Sequence, residues 1–170
     1  MSITLINGTK APKIDIESLE KSFGKELPRD YIEFLQLHDG SEPEPNVVSL
    51  GEEDDLAVNH FISASEVTQR ARDLEVFPEF LPFARDSFGN YFLLNLGENG
   101  SVYFWDHEMD DGPTKLCNSF TEFIVALEPD PDVDSDSTAD ESEGPEVGWK
   151  HPDFDTMFAE YLIPKKKTDA

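Results

Sequence analysis

Four histidines, one cysteine and 37 carboxylates are the residues of this 170-residue chain with the most scope for chemistry. Nucleophilic catalysis needs a Ser, Cys or Thr beside a base and an orienting third group. Cys117, in Lys115-Leu116-Cys117-Asn118, has no such signature around it, and a small buried or half-buried cysteine is the simpler reading. His38, His60, His107 and His151 make neither an HxH nor an HExxH pattern. Asp106-His107-Glu108 with Asp110 and Asp111 has the ligand types for a metal, but adjacent strand residues point to opposite faces, which suits a hydrogen-bonded strand end better. Asp130, Asp132, Asp134 and Asp136 alternate like calcium-loop ligands, without the glycine that such a loop needs after its third acid. Gly97-Glu98-Asn99-Gly100 is a hairpin turn, not a phosphate loop. No catalytic residue, metal or cofactor is nominated, and a non-enzymatic function is expected.

Charge is the stronger signal. The 37 acidic residues face 13 basic ones, a formal net charge of −24. Residues 1–128 hold 25 acids and 9 bases, and residues 129–170 hold 12 and 4, so the acidity belongs to the body of the chain as well as to its end. Such a field repels nucleic acid and anionic membrane and steers basic partners inward; solubility, or a high-salt cytoplasm, is the plainer explanation. Glu52-Glu53-Asp54-Asp55 reads as a turn of four carboxylates, either a solvated loop or a contact patch for Lys and Arg. With a single cysteine, no apolar run near ~20 residues and no basic leader in Met1–Gly8, the expectation is a reducing, cytoplasmic setting without signal peptide or membrane span.

The elements that position these groups follow from local pattern. Residues 1–13 read as a lead-in. Asp15 reads as an N-cap for a helix with Ile16, Leu19 and Phe23 on one face and Gly24 as its stop. Pro28 and Asp30 open a second helix, with Tyr31, Phe34, Leu35 and His38 at helical spacing and Gly40 at its end. Ser41–Pro45 reads as loop, Val47–Leu50 as a strand and Val58–Ile62 as another. Ser63 and Glu66 have capping-box spacing, ahead of a helix carrying Val67, Ala71 and Leu74 to about Val76. Turn signals at Gly89-Asn90 and Glu98-Asn99-Gly100 predict that Tyr91–Leu96 and Val102–Asp106 pair antiparallel. Tyr91-Phe92-Leu93-Leu94, apolar on both faces, predicts a central strand covered from both sides or one whose second face meets a partner. Ser119–Glu122 repeats the capping-box spacing before an apolar stripe of Phe120, Phe123, Ile124 and Leu127. Three regions result: a domain over 1–128, an acidic linker over 129–150, and a C-terminal amphipathic helix with a basic end over 151–170, expected to dock on its own domain or on a partner.

Several segments together resemble the SUKH superfamily. Leu27-Pro28-Arg29-Asp30-Tyr31-Ile32-Glu33-Phe34-Leu35 followed by Asp39-Gly40 looks like its opening helix motif, Phe83–Asn90 its second motif, Val102–Glu108 its third and Ser119–Phe123 its closing helix. Asp39-Gly40-Ser41 stands where the family often has Asn-Gly-Gly, and Gly89-Asn90 where Gly-Asp is common; both keep the turn chemistry. The resemblance implies an α+β fold with a mixed or mainly antiparallel sheet of about five to six strands flanked by helices, here followed by the acidic C-terminal extension. It also implies non-enzymatic action, as an immunity protein that neutralises a toxin domain, often a nuclease, or as a cell-wall and signalling regulator of the fungal kind. The motif residues are core and turn positions, so no binding residue is carried over. Joined to the charge, the expectation is a cognate basic toxin domain as protein partner, with no nucleic acid or membrane, met at Glu52, Glu53, Asp54, Asp55, Asp110 and Asp111.

Overall fold

The computed structural model describes residues 3–50 and 53–128; Glu53 and Asp54 are described by their backbone alone. The acidic linker and the C-terminal amphipathic helix expected from the sequence lie outside the described residues. In chain order the elements are β1 (Thr4–Ile6), α1 (Lys13–Phe23), α2 (Arg29–His38), β2 (Glu42–Glu44), β3 (Val47–Leu50), β4 (Glu53–Ala57), β5 (His60–Phe61), α3 (Ala64–Asp73), β6 (Phe80–Arg85), β7 (Tyr91–Asn95), a 3-10 turn (Leu96–Glu98), β8 (Ser101–Trp105), β9 (Thr114–Cys117), α4 (Phe120–Val125) and β10 (Leu127–Glu128). The class is α+β. Every strand pair named below is antiparallel.

β5 to β9 form a five-stranded sheet in sequence order: α3 lies in the connection from β5 to β6, and the loops from β6 through β9 are short enough to return the chain to the neighbouring position. β7 lies at its centre, and Tyr91, Phe92, Leu93 and Leu94 are all buried, as a strand apolar on both faces requires. The Phe92 ring meets Phe83, Phe104 and Phe123, and Tyr31, Phe34, Phe61 and Phe120 extend this aromatic cluster beneath the helices. Each such ring removed from water contributes roughly 1.5–3 kcal/mol, so this cluster is the main cohesive element. α3 packs on β6, α4 on β8 and β9, α1 on α3, and α2 on α4.

Several boundaries differ from the local reading, for identifiable reasons. Pro12 takes the cap position of α1 and Asp15 falls in its first turn, where a carboxylate still complements the helix dipole. The expected lead-in forms β1, paired with β2 in what reads locally as loop. The expected four-carboxylate turn is instead largely strand: Glu53, Asp54 and Asp55 belong to β4, because Leu56 pairs with the buried Val48 and carries its neighbours into the ladder. A register shift at Val48–Leu50 accommodates this, with Asp55 at φ 56 and its N–H donating to Ser49 Oγ at 3.3 Å. The expected 58–62 strand shortens to His60–Phe61, and α3 stops at Asp73 rather than Val76, with Glu75 at φ 57.

The caps show how distant segments are tied. Ser63 makes no side-chain cap of its own helix; its hydroxyl donates to Asp39 Oδ2 at 3.0 Å, and Ala64 N–H donates to Asp39 Oδ1 at 2.7 Å. Asp39, just past α2, therefore caps α3. Ser119 does cap α4, accepting from Glu122 N–H at 3.1 Å, while Glu122 Oε2 accepts from Asn118 N–H at 2.7 Å. Asp30 Oδ2 adds a second tie to α4, accepting from the N–H and the hydroxyl of Thr121, each at 2.9 Å.

Candidate binding surface

Two loops meet at one end of the five-stranded sheet. The β6–β7 loop spans residues 86–90 and the β8–β9 loop spans residues 106–113; Tyr91 faces Trp105 in the ladder just beneath them. Asp86, only 8% exposed, accepts from Phe88 N–H and Asn90 N–H through Oδ1, both at 2.8 Å, and from Asn90 Nδ2 through Oδ2 at 2.9 Å. Asn90 Oδ1 reaches across to His107, 3.4 Å from its N–H and 3.0 Å from Nδ1. Gly89, at φ 97, lets the loops close: a Cβ there would lie 3.3 Å from the His107 ring. Asp106 shapes the second loop by accepting from Glu108 N–H at 2.9 Å, and its carbonyl accepts from Met109 N–H.

This network leaves two apolar side chains in solvent, Phe88 at 81% and Met109 at 57% exposure. Around Met109 stand Asp106, Glu108, Asp110 and Asp111, and no Lys or Arg occurs between Arg85 and Lys115. Of the two flanking cations, Arg85 Nε donates to His60 Nε2 at 2.8 Å, and Lys115 Nζ pairs with Glu98 at 3.2 Å. Among the described residues none of these four acids makes an ion pair with Lys or Arg.

Of the residues picked out by charge, Asp110 and Asp111 are exposed in this loop. Glu53, Asp54 and Asp55 lie on the β3–β4 hairpin, and Glu52 lies outside the described residues. The two acidic groups thus occupy separate hairpins. Leu50, at the β3 end of its hairpin, lines the same cleft as Cys117, and Cys117 sits at the end of β9 away from the 106–113 loop. Charge alone passes over Phe88 and Met109. The signal for Phe88 was local: an aromatic inside Asp-Ser-Phe-Gly-Asn, between two strands, has a turn on both sides and no face to bury.

Cys117, His60 and Asp39 are each engaged by neighbours. A cleft of about 420 Å³ touches Leu50, Cys117, Asn118 and Glu122. Burial pushes the Cys117 thiol up to about 12, and its Sγ donates to Ser119 O, so it is a poor nucleophile. Burial and the neighbouring Arg85 hold His60 below its ordinary value. Burial lifts Asp39 above the usual carboxylate range, against its two hydrogen bonds. Among the described residues no group of three or more His, Cys, Asp or Glu is placed to hold a metal, and no helix is long and apolar enough to cross a membrane.

The sequence pattern of the SUKH_6 (SMI1-KNR4 cell-wall) family matches residues 13–124. The chain belongs to this family. The matched span of the SUKH_6 pattern opens with α1 and closes within α4, so it contains both loops of the candidate surface. The chain is also 25% identical over 153 residues, covering 74% of its length and 78% of the relative's, to an SPbeta prophage-derived uncharacterized protein, YokK, of Bacillus subtilis (strain 168).

Proposed function

We propose that this chain is a non-enzymatic immunity protein, acting in the cytoplasm, that binds and neutralises a basic, nuclease-type toxin domain. The observation that carries the reading is the acidic 106–111 loop, whose carboxylates make no ion pair with Lys or Arg among the described residues and which is fastened by Asp106 and by the Asn90–His107 contact. Nuclease clefts are basic because they bind a polyanion, so a protein presenting negative potential associates with them quickly and blocks the substrate path. Membership of a family that includes immunity proteins and a relative carried by a prophage support the same reading. We place the contact at Asp110 and Asp111 together with Glu52 and with Glu53, Asp54 and Asp55 of the β3–β4 hairpin. No cofactor takes part.

The test is to mix the chain with the toxin domain encoded beside its gene and to follow affinity from about 0.05 to 1 M salt, where screening shortens from beyond 10 Å to about 3 Å. A complex that weakens steeply with salt is expected. No complex, or one indifferent to salt, overturns the electrostatic reading. The cell-wall description of the matched family favours a second reading, a regulatory interaction module. Deleting the gene separates the two: toxin sensitivity follows from the first, a wall defect without toxin from the second.

A further inference from the structure

Every other phenylalanine among the described residues is buried or half-buried, whereas Phe88 projects into water at 81% exposure. It does so from a loop that is not slack. Asp86 holds the Phe88 and Asn90 backbones, and Asn90 locks this loop to His107. Met109 projects from the loop so joined. An apolar side chain ordered in advance loses little freedom on binding, and buried aromatic anchors surrounded by polar residues are the usual seat of interface energy.

Resting on the immunity reading, we propose that Phe88 and Met109 are the apolar anchor of the interface, and that their occupant is a protein surface with an apolar pocket rimmed by Lys and Arg. Charge complementarity selects this occupant. A second copy of the chain would bring Asp106, Glu108, Asp110 and Asp111 against their own kind, at a net charge of −24 per chain. A purely apolar partner would have to strip water from those four carboxylates without pairing them. The division of labour follows: the acids set encounter rate and salt dependence, and the anchor sets residence time.

The experiment uses the full chain and two probes. With the adjacent-encoded toxin domain, Phe88→Ala weakens binding about 30-fold and Met109→Ala about 5-fold, the range of interface anchors. The salt slope of Phe88→Ala stays that of the parent, whereas Asp110→Asn with Asp111→Asn flattens the slope. The urea midpoint of Phe88→Ala stays with the parent, as an exposed side chain requires. A loss under about 10-fold for Phe88→Ala, with the parent still binding, overturns the anchor and leaves the immunity reading standing.

The second probe is a short peptide of alternating Lys and Leu, followed by amide chemical shifts. Shifts confined to residues 86–90 and 106–111, and lost in Phe88→Ala, support the anchor even if the toxin domain does not bind and the immunity reading falls. Shifts spread over all acidic loops, or none in these two because the chain's own residues 151–170 already sit there, overturn it.

Discussion

Replacing Asp86 with alanine removes the acceptor that shapes the 86–90 loop. Three donors lose it: Phe88 N–H and Asn90 N–H at 2.8 Å, and Asn90 Nδ2 at 2.9 Å. A hydrogen bond to a charged acceptor contributes about 1.5–3 kcal/mol net, so simple addition would exceed 4 kcal/mol. Phe88 is exposed and Asn90 half-exposed, so their freed donors regain water and the sum must be discounted. The expected loss is about 2–3 kcal/mol, similar to the cost of deleting a strong helix cap. Urea unfolding, chosen because it leaves ionic strength unchanged, should show the midpoint falling by about 1–2 M with an unaltered slope. Asp86→Asn should fall between, because it keeps the oxygen facing two backbone donors but turns an amide toward Asn90 Nδ2. Toxin affinity should fall with Asp86→Ala as well, since Phe88 loses its fixed direction. A stability loss below about 0.5 kcal/mol, the level of an ordinary surface change, would refute the claim that this carboxylate organises the loop.

Three further outcomes are expected. Gly100→Ala should unfold or lose several-fold more stability than Gly24→Ala in thermal melts: both have positive φ, but a Cβ at 100 would lie 2.4 Å from Pro28 Cγ, whereas one at 24 meets nothing within 4 Å. Asp39 binds its proton more tightly folded than unfolded, so its contribution is full below the unfolded value of 3.8 and is lost as pH rises through the higher folded value. Asp39→Asn, which keeps an acceptor for Ala64 N–H, should remove that decline, and Asp39→Ala should cost about 1–3 kcal/mol near neutral pH and more in acid, in urea titrations. His60 behaves oppositely: its folded value lies below 6.5, so its contribution is present above that pH and is lost on acidification, and His60→Gln should flatten stability between about pH 7 and 5.

Much of the fold is legible where the signal is local. Gly89-Asn90 and Glu98-Asn99-Gly100 are turns, and β7 and β8 pair between and beyond them as their residue types require. Phe120, Phe123 and Ile124 share one face of α4 because helical spacing puts them there. The errors fall where local preference was overruled by partners far along the chain. Four carboxylates in a row read as a turn, yet Leu56 opposite Val48 draws three of them into β4. Ser63 and Glu66 have capping-box spacing, yet Asp39, 24 residues before Ser63, takes over the cap.

The acidity and the central place of the Tyr91–Leu94 strand were determined by the letters themselves, because periodicity, turn chemistry and net charge are properties of neighbours or of sums; the family and the α+β class were legible through the ordered set of motifs that the chain shares with it. Which acids act as caps and which stay free was decided only by the fold: Asp30 meets Thr121 across 91 residues, and Asp39, Asp30 and Asp110 differ in what the chain brings beside them. So was the fastening of the loop that carries Phe88, through Asn90 to His107. A side chain's surroundings depend on the loops that close around it, and here Asp86, Asn90 and His107 hold one another and the loop backbone while the Phe88 ring stays in solvent.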